Sequence, residues 1–457
     1  MRQCNNPFVI PFTMIGKSFL FDVNTNSVVN ISMDLYNLLN TYRNLSVCEL
    51  KERTSAELSE EIDRLLFDGY LKSNRVKEIE HVATPYIDSY VNNYLSKIVL
   101  QVTRACNMRC RYCGFTSDSG FDRNHGSEKM AWNTAKKAID FLRSHSELRD
   151  HVEVSFYGGE PFLNFELIRK AVEYSEKVFA GKKLVFRVTT NGTVINDEII
   201  DFVNKHNLFV CFSIDGPRKF HNKNRRYAKN GLGTFDDAIR NLNKMVARVN
   251  DYKIKISINS VIDPEENYHE YENFFNNEPA FDGIEIISNA LDSTLLSEDI
   301  YLSSDAQLNN ELEKLNFYLN LMSTKFSEIK SNLNSFNDLF ELVHSFDRMS
   351  ELSNKGHHDG PCFPGYSNLL ITVDGSILPC EKSSELATCM YIGTLEDGFD
   401  YDKINTMLNI GKISEQYCSE CPIIRHCKMC AKDINDFNTF DPKLKAIKCR
   451  EQHSAFN

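Results

Sequence analysis

Cys106, Cys110 and Cys113 stand close together in "RACNMRCRYCGF" at residues 104–115, spaced C-x3-C-x2-C. Thiolates at this spacing ligate zinc or an iron–sulfur centre. A zinc site closed by protein takes four ligands, usually in paired C-x2-C units. No fourth Cys or His follows on a suitable loop, His125 being the nearest. A cubane cluster held by three cysteines instead leaves one iron with an open coordination position, where a substrate or cofactor can bind. A second constellation lies far along the chain: Cys362-x12-Gly375-x4-Cys380, then Cys418-x2-Cys421-x5-Cys427-x2-Cys430, then Cys449. Its two C-x2-C pairs suit a zinc ribbon or further iron–sulfur ligation, and the five-residue gap between them is short for a ribbon.

The first cysteine loop begins where a strand-like run ends. "KIVLQVT", "VEVSFYG", "KLVFRVTTN", "LFVCFSIDG", "KIKISINSVI" and "GIEIISN" are β-branched runs of strand length. Between them lie amphipathic helical patterns such as "AWNTAKKAIDFL", "FELIRKAVEYSEKVF", "DEIIDFVNKH" and "TFDDAIRNLNKMV". Six β-then-α units predict an α/β fold with a parallel sheet and crossover helices. Six is short of the eight that close a full barrel, so an open, partial (β/α)6 barrel is expected. In such folds chemistry sits at the C-terminal ends of the strands, where "RAC", "GGEP", "TTNGT" and "SIDGP" all fall.

Ahead of the barrel, "KSFLFDV" and "SVVNIS" alternate around the turn "NTN", and three helical patterns follow. These predict a small winged-helix-like domain over 1–78 and a linker over 79–95, with the barrel over 96–300. A polar helical bridge over 301–355 and a cysteine-rich domain over 356–457 complete the expected organisation.

The 457 residues carry a net charge of -11, which argues against a nucleic-acid partner. No apolar run approaches the roughly 18 residues of a membrane helix. "PFVIPFTMIG" lacks the flanks of a signal peptide and reads as a first strand. A cytoplasmic location follows, and there disulfides do not account for 14 cysteines. Three lie in 106–113 and eight in 362–449, a clustering that points to metal ligation.

"CNMRCRYC" resembles the cluster motif of the radical S-adenosylmethionine (SAM) enzymes, including the aromatic Tyr112 before the last cysteine. The resemblance implies that Cys106, Cys110 and Cys113 hold a [4Fe-4S] cluster whose open iron binds SAM. Reduction then cleaves SAM to a 5′-deoxyadenosyl radical, a task at the reducing end of the roughly −700 to +450 mV spanned by such clusters. "YGGEP" is similar to the family's second motif, which assigns Gly158, Gly159, Glu160 and Pro161 to the SAM ammonium; taken alone it is an ordinary turn. "FSIDGPRKFHNKNRR" resembles the segment that touches ribose and carboxylate, here through Ser213 and Arg225, although Arg225 equally suits a solvated basic turn. Asn191 either shapes the same pocket or makes an Asx turn. Cys211, inside an apolar strand, reads as core.

The C-terminal set resembles the SPASM domain, which holds two auxiliary [4Fe-4S] clusters and would bring the total to three. By that resemblance Cys418, Cys421, Cys427 and Cys449 hold the outer cluster, and Cys362, Cys380 and Cys430 the inner one. The family's four-cysteine run ends in x3-Cys, whereas here it ends in x2, and Cys389 is an extra cysteine. The inner cluster therefore either keeps an open iron or is closed by Cys389. Glu381, directly after Cys380, is either a general base or a solvated carboxylate.

The N-terminal segment resembles the peptide-recognition element of enzymes that modify ribosomally made peptides, which captures a leader as an added strand. "VDGSILPCEKSSE" is similar to enzymes that make thioether bridges. Together these imply a maturase of the sactipeptide or ranthipeptide type, joining a Cys sulfur to carbon in a precursor peptide. A low-potential donor such as flavodoxin or ferredoxin would supply electrons. The alternatives are carbon–carbon crosslinking, epimerisation, oxidation of Cys or Ser to formylglycine, a zinc-binding winged-helix regulator and an iron–sulfur electron carrier.

Overall fold

The computed structural model describes residues 6–114, 125–263, 265–291 and 346–456. The chain forms two compact units. The first gathers Met1–Ile87, Asp338–Phe363 and Ile404–Asn457; the second gathers Asp88–Asn337 and Pro364–Lys403. The bridge expected over 301–355 lies outside the described residues as far as residue 345.

In the first unit, β1 (Val9–Met14), β2 (Lys17–Asp22) and β3 (Ser27–Ile31) make an antiparallel sheet in the order β1-β2-β3. Alternation along β2 sends Leu20 to one face and Phe21 to the other, as a pleated strand must. Leu20 and Ile31 pack with Leu35, Leu39, Leu50, Ile62 and Leu65 of the helices α1 (Met33–Thr41), α2 (Val47–Lys51) and α3 (Ala56–Phe67). Helix α2 starts on a capping box, in which Ser46 and Glu49 satisfy each other's backbone donors. On the opposite face Phe21 joins Phe8, Val23, Val76 and Ile79 against Ile424, with Cys418 and Cys421 beside them. The N-terminal sheet is thus sandwiched between its own helices and the cysteine-rich C-terminus.

The second unit carries six parallel strands: β4 (Lys97–Thr103), β5 (His151–Gly158), β6 (Lys183–Thr190), β7 (Phe209–Ser213), β8 (Ile256–Ile262) and β9 (Glu285–Ala290). They are neighbours in sequence order, all in parallel pairing, as the alternating pattern predicts. The crossover helices α4 (Trp132–Ser144), α5 (Phe165–Val178), α6 (Asp197–His206) and α8 (Phe235–Arg248) bury their apolar stripes, and the short α7 (Arg218–Asn224) precedes α8. Local chemistry sets their ends. Asn196 caps α6 by accepting from Ile199 N at 2.9 Å, and Asn207 closes it in the left-handed region at φ 50°.

Two expectations need correction. Residues 79–95 are not an exposed linker, because a helix at Ile87–Asn93 forms there and Ile87, Val91 and Leu95 are buried. Nor do residues 356–457 stand apart from the barrel. Within the second unit β10 (Leu369–Ile371) pairs parallel with β4, and β11 (Ser376–Leu378), β12 (Gly393–Thr394) and β13 (Gly398–Phe399) continue the same sheet to ten strands. The first barrel strand would otherwise present an unpaired edge, and "NLLIT" covers it with three fully buried aliphatic side chains.

Candidate active site and cysteine centres

The register of β4 against β5 shifts between Gln101 and Thr103, an irregularity at the strand end that leads into the cysteine loop. The loop is then held by backbone hydrogen bonds rather than by any helix of its own. Arg109 N donates to Arg226 O and Arg111 N to Asn224 O, both at 2.9 Å, and Ala228 N donates to Asn107 O at 2.9 Å. Residues 224–228 therefore form the other wall of the loop. Burial pushes the Cys106 thiol up to about 11 and raises Cys110 further, and the neighbouring Cys113 sulfur adds to both shifts. Cys113 completes the trio, its amide donating to Cys110 O at 3.1 Å.

The glycines of "GGEP" are required by a close approach. Gly158 has φ +134°, and a Cβ there would lie 2.2 Å from Thr103 O. A Cβ on Gly159 would lie 2.2 Å from Ala105 O. Gly159 N donates to Thr103 O at 2.9 Å and Glu160 N to Ala105 O at 2.8 Å, so this segment lies directly on the start of the cysteine loop. Pro161 then opens a short 3-10 turn. Glu160, expected to meet the SAM ammonium, is fully buried and accepts from Thr190 Oγ1 (2.8 Å), Asn191 N (2.8 Å) and Phe162 N (3.2 Å). These bonds favour its ionised form, yet burial prevails and lifts the carboxyl to about 7. Its visible work is to tie the tip of β5 to the tip of β6.

Asn191 faces the loop, with Nδ2 donating to Asn107 Oδ1 at 2.9 Å and lying 3.9 Å from Cys106 Sγ. Its Oδ1 accepts from Thr193 N at 2.9 Å, so the Asx turn and the site-facing role coexist. Arg225 is buried, not a solvated turn residue. Its Nη1 lies 4.0 Å from Cys110 Sγ, its guanidinium sits 5.5 Å from the Tyr112 ring centre, and its Nε donates to Asp215 Oδ2 at 2.8 Å. Ser213 ends β7, buried two residues before Asp215.

Asp215 is the residue that sequence reasoning missed. It is fully buried and receives Arg225 Nε, the Tyr112 hydroxyl and Val261 N (3.1 Å), joining the cysteine loop to two barrel strands. Its position inside "SIDGP", at a strand end, was the available signal. His221 supports it from behind, accepting from Asp215 N at Nδ1 (3.3 Å) and meeting Thr234 Oγ1 at Nε2 (3.0 Å). Arg104, two residues before Cys106, pairs with Glu385 at 2.9 Å, and Gln101 also reaches that carboxylate. This fastens the cysteine loop to the segment that follows Cys380. Asn368 Nδ2 donates to Glu381 Oε2 at 3.1 Å.

In the first unit, Cys418, Cys421, Cys427 and Cys449 line one cavity together with Lys445 and His453. Burial, reinforced by the other three sulfurs, pushes the Cys421 thiol up to about 12. The residues expected to form the inner set are divided: Cys362 (exposed) and Cys430 belong to the first unit, Cys380 and Cys389 to the second. Cys380 Sγ lies 3.7 Å from Ser383 Oγ, and Cys389 sits in the short turn Thr388–Met390. None of the described cysteines is in a disulfide. Among the described residues, no three His, Cys, Asp or Glu side chains are arranged to hold a single metal ion.

Both thiol clusters suit the groups that the sequence implies. Three half-buried thiols on one loop, with a buried guanidinium beside Cys110, offer soft ligands next to a fixed positive charge. Four thiols around one cavity with a buried lysine offer the same chemistry again.

Residues 100–277 match the sequence profile of the Radical SAM superfamily, and the parallel sheet they contribute to has the α/β fold expected of it. The chain is 30% identical over 137 residues to a serine-type anaerobic sulfatase-maturating enzyme of Bacteroides thetaiotaomicron, covering 30% of this chain and only 32% of that protein. It is 25% identical over 349 residues to a cysteine-type anaerobic sulfatase-maturating enzyme of Clostridium perfringens, covering 73% and 88%. The solved structure of anSMEcpe with bound AdoMet shares the fold, with a TM-score of 0.58, 20% identity, and coverage of 79% of this chain and 96% of that one. Among the described residues, no helix is long and apolar enough to cross a membrane.

Proposed function

We propose that this chain is a radical SAM enzyme that modifies a ribosomally made peptide, most directly by joining a Cys sulfur to a carbon. The observation that carries the reading is the cysteine loop itself, pressed between the "GGEP" segment and residues 224–228 at the mouth of a partial barrel. Cys106, Cys110 and Cys113 would hold the SAM-binding cluster, and Cys418, Cys421, Cys427 and Cys449 an outer auxiliary one. Cys362, Cys380 and Cys430 would hold an inner cluster, with Cys389 as the residue able to close it. Once bound, SAM and the clusters supply a carbon-centred radical that takes a hydrogen atom from the substrate, and a sink for the surplus electron.

The chain's own residues position and insulate this chemistry. Asp215 holds Arg225 and Tyr112 against the loop, so the buried positive charge stays beside Cys110. Asn191, with Asn107 and Thr193, braces the side of Cys106. Glu381 is assigned the proton of the substrate thiol, with Asn368 orienting its carboxylate. Balance is kept when the sulfur loses its proton to that base, the carbon loses a hydrogen atom, and one electron leaves as the bond forms.

The N-terminal sheet is assigned to the leader peptide. Among the described residues, strands β1 and β3 each pair on one side only, which offers edges for an added strand. Docking there would hold the core peptide at an effective concentration of about millimolar.

A second reading is oxidation of a Cys or Ser side chain to formylglycine, favoured by the likeness to sulfatase-maturating enzymes over 73% of the chain. Anaerobic co-expression with a small cysteine-containing peptide encoded beside the gene separates the two. A thioether gives loss of two hydrogens per link and a thiol that no longer alkylates; an aldehyde instead reacts with a hydrazide. A peptide recovered unmodified with the clusters fully assembled would defeat both readings for that substrate class.

A further inference from the structure

Lys445 lies in the wall of the four-cysteine cavity and is 1% exposed. Its ammonium donates to Gly411 O at 3.2 Å, Ser414 Oγ at 2.6 Å and Cys418 Sγ at 3.5 Å. An ammonium has three donors, and here they meet a carbonyl, a hydroxyl and a sulfur. The sulfur contact sets this buried ammonium directly beside one of the four cysteines. Ser414 points the same way. Its oxygen accepts from Lys445 and lies 3.4 Å from Cys418 Sγ, which leaves its own proton for that sulfur. His453 Nε2 stands 3.5 Å from Cys421 Sγ on the same side of the cavity.

We propose that Lys445, assisted by Ser414, is the potential-setting residue of the four-cysteine centre: its buried ammonium beside the Cys418 sulfur makes the centre easier to reduce. The proposal rests on the reading that these four cysteines hold an iron–sulfur cluster. Net charge and hydrogen bonds to the ligand sulfurs are two of the levers by which a protein tunes such a centre. Reduction adds negative charge, and a fixed ammonium beside one ligand stabilises the reduced form more than the oxidised one. The same contact explains why a lysine is buried at this position on helix α9 (Pro442–Phe456), four residues before Cys449.

The test uses the full chain purified without oxygen, with iron counted per chain. The midpoint potential is followed by electron paramagnetic resonance for the signal that Cys421→Ala removes. Lys445→Met should retain iron and shift the reduced-to-oxidised ratio at a fixed potential by about tenfold, or about 59 mV toward more negative values for one electron. Lys445→Arg should recover most of that shift, and Ser414→Ala should move the midpoint less and in the same direction. Wild-type midpoints in both Lys445→Met and Ser414→Ala would overturn the proposal. If Lys445→Met fails to fold or loses iron, Ser414→Ala decides it alone. Should Cys421→Ala remove neither iron nor signal, the cluster assignment itself has failed, and the two failures are told apart.

Discussion

Asn368 donates a hydrogen bond to Glu381, Nδ2 to Oε2 at 3.1 Å, at the open end of the β10–β11 hairpin. The contact gives a fixed partner to the carboxylate that the sequence offers as a base. Glu381→Gln keeps an acceptor for Asn368 while removing the basic oxygen. We expect SAM cleavage to persist and peptide modification to slow by about 10²-fold or more, the usual contribution of a general base. Unaltered modification across pH would leave Glu381 as the structural partner of Asn368.

The ion pair of Arg225 with Asp215 is buried on both sides, at 8% and 1% side-chain exposure. Asp215→Asn leaves the guanidinium without its counter-charge, and removing one partner of a buried pair costs about 3–5 kcal/mol. Denaturant unfolding of the full chain should show a loss of that size, together with weaker SAM binding as Arg225 and Tyr112 lose their anchor. A loss below about 1 kcal/mol, the value of a surface pair, would mean that water screens the site.

His221 carries a prediction about acid. Burial holds its pKa down at about 4, against an ordinary value near 6.5. Between those values the unfolded chain binds a proton that the folded chain refuses, so stability rises with pH across this window. The contribution is complete above about pH 6.5 and disappears as pH falls toward about 4, with an upper size of about 3 kcal/mol. His221→Gln, which can still accept from Asp215 N and donate to Thr234, should flatten that slope. An equal slope in the variant assigns the acid sensitivity to other histidines.

Replacing Cys106, Cys110 and Cys113 together by Ala should abolish 5′-deoxyadenosine formation while iron at the C-terminal cysteines remains. Chromatography of the products and an iron count per chain check both halves. Continued SAM cleavage would mean that another set of cysteines holds the SAM-binding cluster.

Deleting residues 1–94 does not isolate leader binding, because Phe8, Phe21, Val76 and Ile79 cover Ile424 beside Cys418 and Cys421. Truncation should therefore also release iron from the four-cysteine cavity. Hydrogen exchange on the intact chain is the cleaner measurement. Adding a leader-bearing peptide should slow exchange in Val9–Met14 or Ser27–Ile31, the two edge strands, and unchanged exchange in both would sink the docking idea.

The six-strand barrel and its crossover helices were legible in the chain because periodicity is local: β-branched runs and amphipathic stripes announce their own conformation. The spacing of Cys106, Cys110 and Cys113 is equally local, since one loop carries all three. Tertiary structure alone decided how that loop is held. Asp215 looks like any aspartate in a turn until folding buries it against Arg225 and Tyr112. The parallel pairing of Leu369–Ile371 with the first barrel strand joins residues about 270 apart, and no local pattern encodes which open edge a short aliphatic run will cover. Likewise Phe21 announces an inward face, but that this face meets the cysteine-rich C-terminus depends on which apolar surfaces remain once each unit has closed.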